Sequence, residues 1–507
     1  MRLNIIIGGK AGQGINKVSQ IVANVLSEFG YFTFNYRDYQ SLIRGGHNFN
    51  VLSISDTPIE SHESKADILV ALDDRTIQTH KQALKKNGVT ILGDQFKDLG
   101  RNLNIALSGA LIKILGIPIQ ELEKEIKSQF KEHTEAIAAA KQGFESQKKI
   151  SDLKKLDNKI SISSGSKAVA EGARNSGLDL YIAYPMTPAT NAMHELAKNQ
   201  IENNLMMFQA ESEISAISMS LGASFAGAKT MTGTSGGGFD LMSESLSLQG
   251  QSEIPLTVYL ASRVGPATGV PTYTAQSDLD IALRAGHGEF PRIVVAPSNP
   301  TETIEKTSEA LYLAEKFKTL SILLSDKHLA ESEFSTTEQP AKTPKFKIDR
   351  KVPGQTIIKA SSYEVDKFGN STESYTLTED NTNKRIDKYK QAKKFIEKNY
   401  DMIKIHGDKN SKNLIIGWGS TTGAIKDAIK DLDTKFLQVL YCKPLSPQIK
   451  KELQKADKVI LVECNVTGQL GRLIREKTGI KIENRLLKYN GRPFHSDELK
   501  KYLEEIL

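Results

Sequence analysis

A handful of short stretches place reactive or ligand-gripping side chains on backbone able to hold them. Glu211 and Glu213 open a long run of small residues. Two acids in a helix's first turn ordinarily answer the helix dipole at the surface. Here alanine, serine and glycine dominate residues 218–228, with Gly222 and Gly227 among them, which predicts very close packing and a buried carboxylate. Burial would strengthen a single hydrogen bond to that carboxylate. Tyr184-Pro185-Met186-Thr187-Pro188 follows an apolar run at 178–183. Its prolines fix the backbone direction, leaving Thr187 at the carboxyl end of a strand, where α/β sheets place ligands; Thr187 reads equally well as a helix N-cap with no further role. Arg263, just after a strand at 255–260, has the fork that pairs bidentately with a carboxylate, or it is a loop arginine in solvent. Gly12 and Gly14, in Gly8-Gly9-Lys10-Ala11-Gly12-Gln13-Gly14, would let a strand–helix turn aim N–H groups at an anion. That pattern is neither a Walker A loop nor GxGxxG, and it also suits a tight turn packed on another chain. Arg44-Gly45-Gly46-His47-Asn48 is a second glycine turn, whose cation suits a phosphate or a partner carboxylate or sits in solvent. His47 has no companion at metal-ligand spacing, so no metal site is assigned.

These groups need elements to hold them, and the hydrophobic pattern supplies an α/β set. Over residues 1–150, strand-like runs at 3–7, 49–53, 68–72 and 89–92 alternate with helical patterns at 16–28 and 74–84, the signature of an open α/β sheet. Helices at 119–130 and 135–144 lead into a lysine-rich connector at 147–159. A second unit, 160–330, has strands at 178–183, 205–208, 230–232, 255–260 and 293–296, with its clearest helix at 211–225. Residues 331–400 are polar and read as an extended linker or arm ending in a helix at 388–398. A third, small unit at 401–507 has strands at 414–417, 436–440 and 458–462 between helices at 422–432, 447–454 and 468–477. Three α/β domains suit 507 residues at roughly 100–200 residues each.

Composition excludes several functions. A formal charge of +7 comes from scattered lysines, without basic blocks interleaved with aromatics, so nucleic acid is not the expected partner. No run approaches the roughly 18 apolar residues of a membrane span; the apolar start at Ile5-Ile6-Ile7 stops at Gly8-Gly9 and reads as a buried strand. Two cysteines, Cys442 and Cys464, cannot ligate a [4Fe–4S] cluster or form a disulfide scaffold, which points to a reducing, cytoplasmic setting.

Taken in order, the stretches resemble one family. The glycine-rich opening with Arg44-Gly45-Gly46 resembles the gamma-type module of the 2-oxoacid:ferredoxin oxidoreductases. Residues 184–188, then 211–228 with 234–238, then 263–269 resemble the alpha-type thiamine-diphosphate pyrimidine domain. Val462-Glu463-Cys464-Asn465 and Thr467-Gly468-Gln469-Leu470-Gly471-Arg472 resemble the transketolase-C-like domain that follows it. The resemblance implies an alpha subunit in fused gamma–alpha order, performing with a beta subunit the coenzyme A-dependent oxidative decarboxylation of a 2-oxoacid to acyl-CoA, CO2 and reduced ferredoxin. It implies that Glu213 is the activating glutamate hydrogen-bonded to the cofactor's pyrimidine nitrogen, flanked by Pro185 and Met186. Thr187, Arg263 and Tyr184 would meet the substrate, and the Gly12, Gly14 and Arg44 region would be an anion or coenzyme A site. Met186 stands where the family commonly has Ile, a volume-like change, and Ser262-Arg263 replaces a more usual Gln-Arg. A GDG-type diphosphate and Mg2+ motif is missing: Gly93-Asp94-Gln95 and Gly407-Asp408-Lys409 lack the second glycine. Diphosphate, Mg2+ and a [4Fe–4S] cluster are therefore expected in the beta subunit of a heterodimer. The rival readings are a non-catalytic assembly module keeping the fold and an indolepyruvate-type relative, whose large chain usually carries the cluster cysteines absent here.

Overall fold

Ile5, Ile6 and Ile7 are buried in the strand Arg2–Gly9, so the apolar start of the chain is a central strand. The computed structural model describes residues 1–41, 46–342, 344, 346, 348 and 361–507. Arg2–Gly9 pairs in parallel with Ala66–Ala71, Ile5 opposite Ile68, and antiparallel with Asn48–Ser55, Ile5 opposite Leu52. The sheet continues outward from Ala66–Ala71 to Leu84–Leu92, and from Asn48–Ser55 through Phe32–Asp38 and Glu333–Thr336 to Ser161–Ser164. It is thus mixed, and its last two strands come from far along the chain. Helices Ile15–Glu28, Leu103–Leu115, Ile119–Gln129 and Thr134–Glu145 cover it. Two of them nearly touch: a Cβ on Gly143 would lie 1.8 Å from the Ala106 carbonyl oxygen, so only glycine permits the approach. The lysine-rich stretch at 147–159 packs on this unit, with Leu153 buried and the Leu156 N–H donating to the Phe29 carbonyl at 3.0 Å.

The second sheet runs in the order Tyr441–Lys443, Arg292–Val295, Leu320–Asp326, Leu256–Ser262, Thr230–Thr234, Leu180–Ala183, Met206–Gln209. All neighbours are parallel except the edge strand Tyr441–Lys443, contributed by the C-terminal part of the chain. Leu256–Ser262 and Leu320–Asp326 are buried along their whole length, as parallel strands covered on both faces must be. The third sheet is Ile403–Gly407, Lys435–Val439, Asn413–Trp418, Lys458–Glu463, Asn484–Leu487, parallel apart from its first strand. The helix expected at 388–398 is Tyr375–Asn399, of 25 residues. Its polar first half carries no apolar stripe; it is held instead by the Ser374 cap and by Arg385 on Glu364 at 2.7 Å.

One feature of this topology builds the site. Leu180–Ala183, Thr230–Thr234 and Leu256–Ser262 are parallel members of one sheet. Their carboxyl ends lead directly into residues 184–188, 235–238 and 263–269.

Candidate active site

Glu213 is the first residue of the helix Glu213–Phe225, which Ser212 caps from extended backbone by accepting the Ser215 N–H at 3.2 Å. The cap turns the Glu213 side chain inward, and the residue is only 4% exposed. Its Oε1 is buried and has no hydrogen-bond partner among the described residues. Buried polar atoms are nearly always paired, so an orphaned carboxylate oxygen is a place for a donor from elsewhere. The turn after Thr230–Thr234 makes room for it. A Cβ on Gly238 would lie 2.8 Å from Glu213 Oε1 and 2.1 Å from Thr234 Oγ1. Glycine is needed there to seat the carboxylate.

The other strand ends close around this point. The Ser235 hydroxyl, fully buried, donates to the Met186 sulfur. Arg263 reaches back from its own strand end, Nη1 donating to the Thr187 carbonyl at 3.0 Å. Burial pulls the guanidinium's pKa down while the nearby Asp278 and Glu213 carboxylates oppose that pull. Pro185 and Thr187 are half-buried, and Tyr184 stands at the rim, 38% exposed. Pro188 does not begin the next helix, which starts at Thr190 with Ala189 as its cap residue, so Thr187 is not an N-cap. Glu213, Met186, Thr187 and Arg263, dispersed over 77 positions of sequence, are thus gathered at one sheet end.

Asp278 belongs to the same cluster. Its Oδ2 would meet a Cβ on Gly236 at 2.5 Å. Its pKa is pushed up to about 6, chiefly by burial, with the Ser262 and Ser277 hydroxyls and Arg263 pulling the other way and Asp240 adding to the rise. The sequence offered no motif for it: Asp278 sits in a polar stretch beyond the Arg263 loop and joins the site through the fold alone.

The small-residue helix packs on one side, where Ala216, Ile217, Ser220, Leu221 and Ser224 are buried against the second sheet. Gly222 has open space where its Cβ would be, and Ser218 and Met219 are exposed. Around them Met206, Phe208, Ile214 and Leu241 are exposed as well. On its other side the helix turns Ile214, Ser218, Met219 and Gly222 outward beside Glu213.

At the first sheet, Gly14 takes φ 81 as the cap residue of Ile15–Glu28, and Gly12 takes φ 89. Both line a cavity of about 450 Å³ with Arg37, Asp38, Tyr39 and Asn191. Arg44 lies outside the described residues. His47 is buried and shares a 2.8 Å hydrogen bond with His80, Nε2 to Nε2. Among the described residues no group of His, Cys, Asp or Glu is arranged to hold a metal ion.

Over its full length the chain is 31% identical to a 2-oxoacid:ferredoxin oxidoreductase subunit alpha of a Sulfolobus species, the alignment spanning 97% of that relative. This chain belongs to the family of 2-oxoacid:ferredoxin oxidoreductase alpha subunits. Residues 4–100 match the family model described as pyruvate ferredoxin/flavodoxin oxidoreductase. Residues 171–401 match that of the pyruvate flavodoxin/ferredoxin oxidoreductase thiamine diphosphate-binding domain. A 2-oxoglutarate oxidoreductase subunit KorA of Mycobacterium tuberculosis is 31% identical over 68% of this chain and 57% of its own. The structure of 2-oxoglutarate:ferredoxin oxidoreductase from Magnetococcus marinus, with 2-oxoglutarate, coenzyme A and succinyl-CoA bound, superposes with a TM-score of 0.90 at 26% identity, covering 99% of both chains. The alpha subunit is an oxidoreductase subunit, and the α/β class expected from its sequence is the class of its three sheets. Cys442 and Cys464 are buried in it, their thiol pKa values raised by burial. No helix among the described residues is long and apolar enough to cross a membrane.

Proposed function

We propose that this alpha subunit works with a beta subunit in the coenzyme A-dependent oxidative decarboxylation of a 2-oxoacid to acyl-CoA, CO2 and reduced ferredoxin in the cytoplasm. The unpartnered, buried Oε1 of Glu213 carries the reading. It is an acceptor held in place by a helix cap and a glycine turn, and it fits the protonated ring nitrogen of an aminopyrimidine. Thiamine diphosphate, when bound, supplies the electron sink that decarboxylation of a 2-oxoacid needs. Glu213 holds the proton on the ring nitrogen. Pro185 and Met186 form the floor beside it, Met186 fixed by Ser235. Arg263 offers its remaining N–H groups to the substrate carboxylate, with Thr187 and Tyr184 lining the approach. The cavity at Gly12 and Gly14 has the size and the left-handed turns to take an anion, which we assign with Arg44 to coenzyme A.

The beta subunit accounts for what this chain lacks. Mg2+, the cofactor's diphosphate and the [4Fe–4S] cluster are assigned to it, since the two thiols here are buried singly. The side of the helix beside Glu213 that leaves Ile214 and Met219 exposed is where it would dock, since exposed apolar surface on this scale marks interaction sites.

Co-purified with its beta subunit, a Glu213→Gln variant should assemble normally and lose at least about 100-fold of 2-oxoacid-dependent viologen reduction, the scale on which positioned proton-transfer groups act. Activity near that of the parent would remove Glu213 from the mechanism. The same assay over pyruvate, 2-oxoglutarate and branched-chain 2-oxoacids identifies the substrate.

A further inference from the structure

Arg263 lies at the start of a loop whose far end is fastened by all three sheet units. From this we infer that Asp38, Tyr273 and Arg492 are positioning residues that set where Arg263 presents its guanidinium. The inference rests on the proposed role of Arg263 in gripping the substrate carboxylate.

The loop folds back on itself. Val264 and Val270 form an antiparallel bridge, the Val270 N–H donating to the Val264 carbonyl at 3.0 Å and the Val264 N–H to the Tyr273 carbonyl at 3.3 Å. Gly269, at φ 53, closes the turn so tightly that a Cβ there would lie 2.1 Å from the Val264 carbonyl oxygen. The backbone next to Arg263 is therefore tied directly to the backbone of Tyr273. Tyr273 is in turn held on both sides. Its hydroxyl donates to Asp38 Oδ1 at 3.2 Å, from the first sheet's strand Phe32–Asp38. The Arg492 guanidinium, from the C-terminal unit, lies 3.6 Å from its ring centroid. Arg492 Nε also pairs with Asp38 Oδ2 at 2.7 Å, closing a triangle around the ring. Neighbouring bonds run the same way: Thr272 Oγ1 donates to the Tyr39 carbonyl at 2.7 Å, and the Thr274 N–H to the Gly491 carbonyl at 3.2 Å.

The charges argue for more than cohesion. Asp38 is only 4% exposed in its side chain, whereas Arg492 is 39% exposed. A buried carboxylate needs its partners, so Asp38 constrains Tyr273 and Arg492 more strongly than a surface pair would. Neither Tyr273 nor Arg492 is placed in contact with the substrate, and Asp38, which also borders the cavity assigned to coenzyme A, acts on Arg263 through them. A shift of Tyr273 would be felt at Val264 and so at Arg263, where misplacement on the scale of 1 Å is enough to weaken a directed contact.

The test compares variants of the alpha–beta holoenzyme by steady-state viologen reduction, with thiamine diphosphate titrated in parallel. Arg492→Met and Tyr273→Phe should each raise KM for the 2-oxoacid, Arg492→Met by about tenfold, with kcat within about threefold of the parent, as expected for loss of uniform substrate binding. Thiamine diphosphate affinity should not change. Arg492→Lys, which keeps a cation for Asp38, should recover part of the loss. A purely structural role would lower the thermal midpoint and leave KM where it was, and that result overturns the inference. Arg263→Met is the companion control. If it raises KM while the Arg492 and Tyr273 variants do not, the inference fails and the Arg263 reading stands. If Arg263→Met itself leaves KM unchanged, the premise falls and the inference with it.

Discussion

Asp278 shows how a single residue at this site trades stability for placement. Its carboxyl is held over Gly236 with its pKa raised to about 6, burial being the main cause. An unfolded aspartate titrates near 3.9, so the folded chain holds this proton more tightly than the unfolded chain does. The sign follows: any stabilisation from Asp278 is complete below the unfolded value and disappears as pH rises through about 6. Above that the charged carboxylate costs about 1–2 kcal/mol, taking part of the shift as realised. Asp278→Asn should therefore raise the thermal midpoint at pH 8 and leave it nearly unchanged at pH 4. It should also move the acid limb of the rate profile, because Asp278 is one of the two carboxylates acting on Arg263. An unaltered difference in midpoint between the two pH values would show that Asp278 is not strained by burial. A buried carboxylate at Glu211 or Glu213 was legible in the small residues that follow, and the family resemblance singled out Glu213, which is the buried one; Asp278 was not legible, because only the packing of Ser262, Gly236 and Arg263 gives it a place.

At the scale of elements, legibility followed apolar content. The runs around Ile5–Ile7, Ile68–Leu72 and Leu256–Leu260 announce strands because the parallel sheet buries both faces. Phe32–Asp38 escaped notice although it is buried almost throughout, because Asn35 and Arg37 interrupt its pattern. Its explanation lies some 300 positions away. Glu333 accepts from Asn35 Nδ2 at 2.8 Å and pairs with Arg37 Nη2 at 2.6 Å, so Arg37 gains its carboxylate, and Asn35 its shorter bond, when Glu333–Thr336 joins the sheet. Ser161–Ser164 and Glu333–Thr336 are four-residue polar strands with no hydrophobic periodicity of their own; they exist because an edge is waiting for them. Glu333→Ala should leave Arg37 without its carboxylate and Asn35 with the Ser19 hydroxyl at 3.3 Å and cost about 1–3 kcal/mol, read as an earlier denaturant midpoint. Glu333→Gln, which keeps an acceptor, should recover about half of it. Equal losses in the two variants would mean that the strand is held by its backbone pairing alone. Among the described residues of 331–400, the helix Tyr375–Asn399 lacks an apolar stripe for the same reason: its partners are Glu364 and the aromatic rings around Phe395.

Across the whole molecule, the three units meet through imidazoles that the fold keeps neutral. His62, from the first unit, stacks on Tyr36 at 4.7 Å and on Phe34 at 6.1 Å and lies 4.9 Å from the ring of His495 in the third. His328, which follows the second sheet's strand Leu320–Asp326, packs on the same Phe34 and Tyr36 at 5.6 and 5.7 Å. Burial lowers all three histidines. His62 falls well below its ordinary value, helped by His495, His328, Arg2 and Lys488, and His328 falls to about 3, with Lys327 adding to the effect. His495 is lowered less because Glu498 and Asp497 oppose its burial. Unfolded histidine titrates near 6.5. Between about 6.5 and 3 the unfolded chain therefore binds protons that the folded chain refuses, and stability must fall as pH falls through that window. At pH 5 the penalty is about 2 kcal/mol for His328, and His62 adds to it in the same direction. The thermal midpoint should accordingly drop steeply from pH 7 to pH 5. His62→Phe preserves the stack on Tyr36 and removes the proton site, so it should flatten that drop while leaving the midpoint at pH 7.5 nearly unchanged. Combining it with His328→Leu should flatten the drop further, because each imidazole brings its own proton site to Phe34 and Tyr36. A drop of undiminished steepness in the double variant would place the acid sensitivity outside this junction, with the neutral His47–His80 pair, whose second member is lowered to about 4, as the next site to remove.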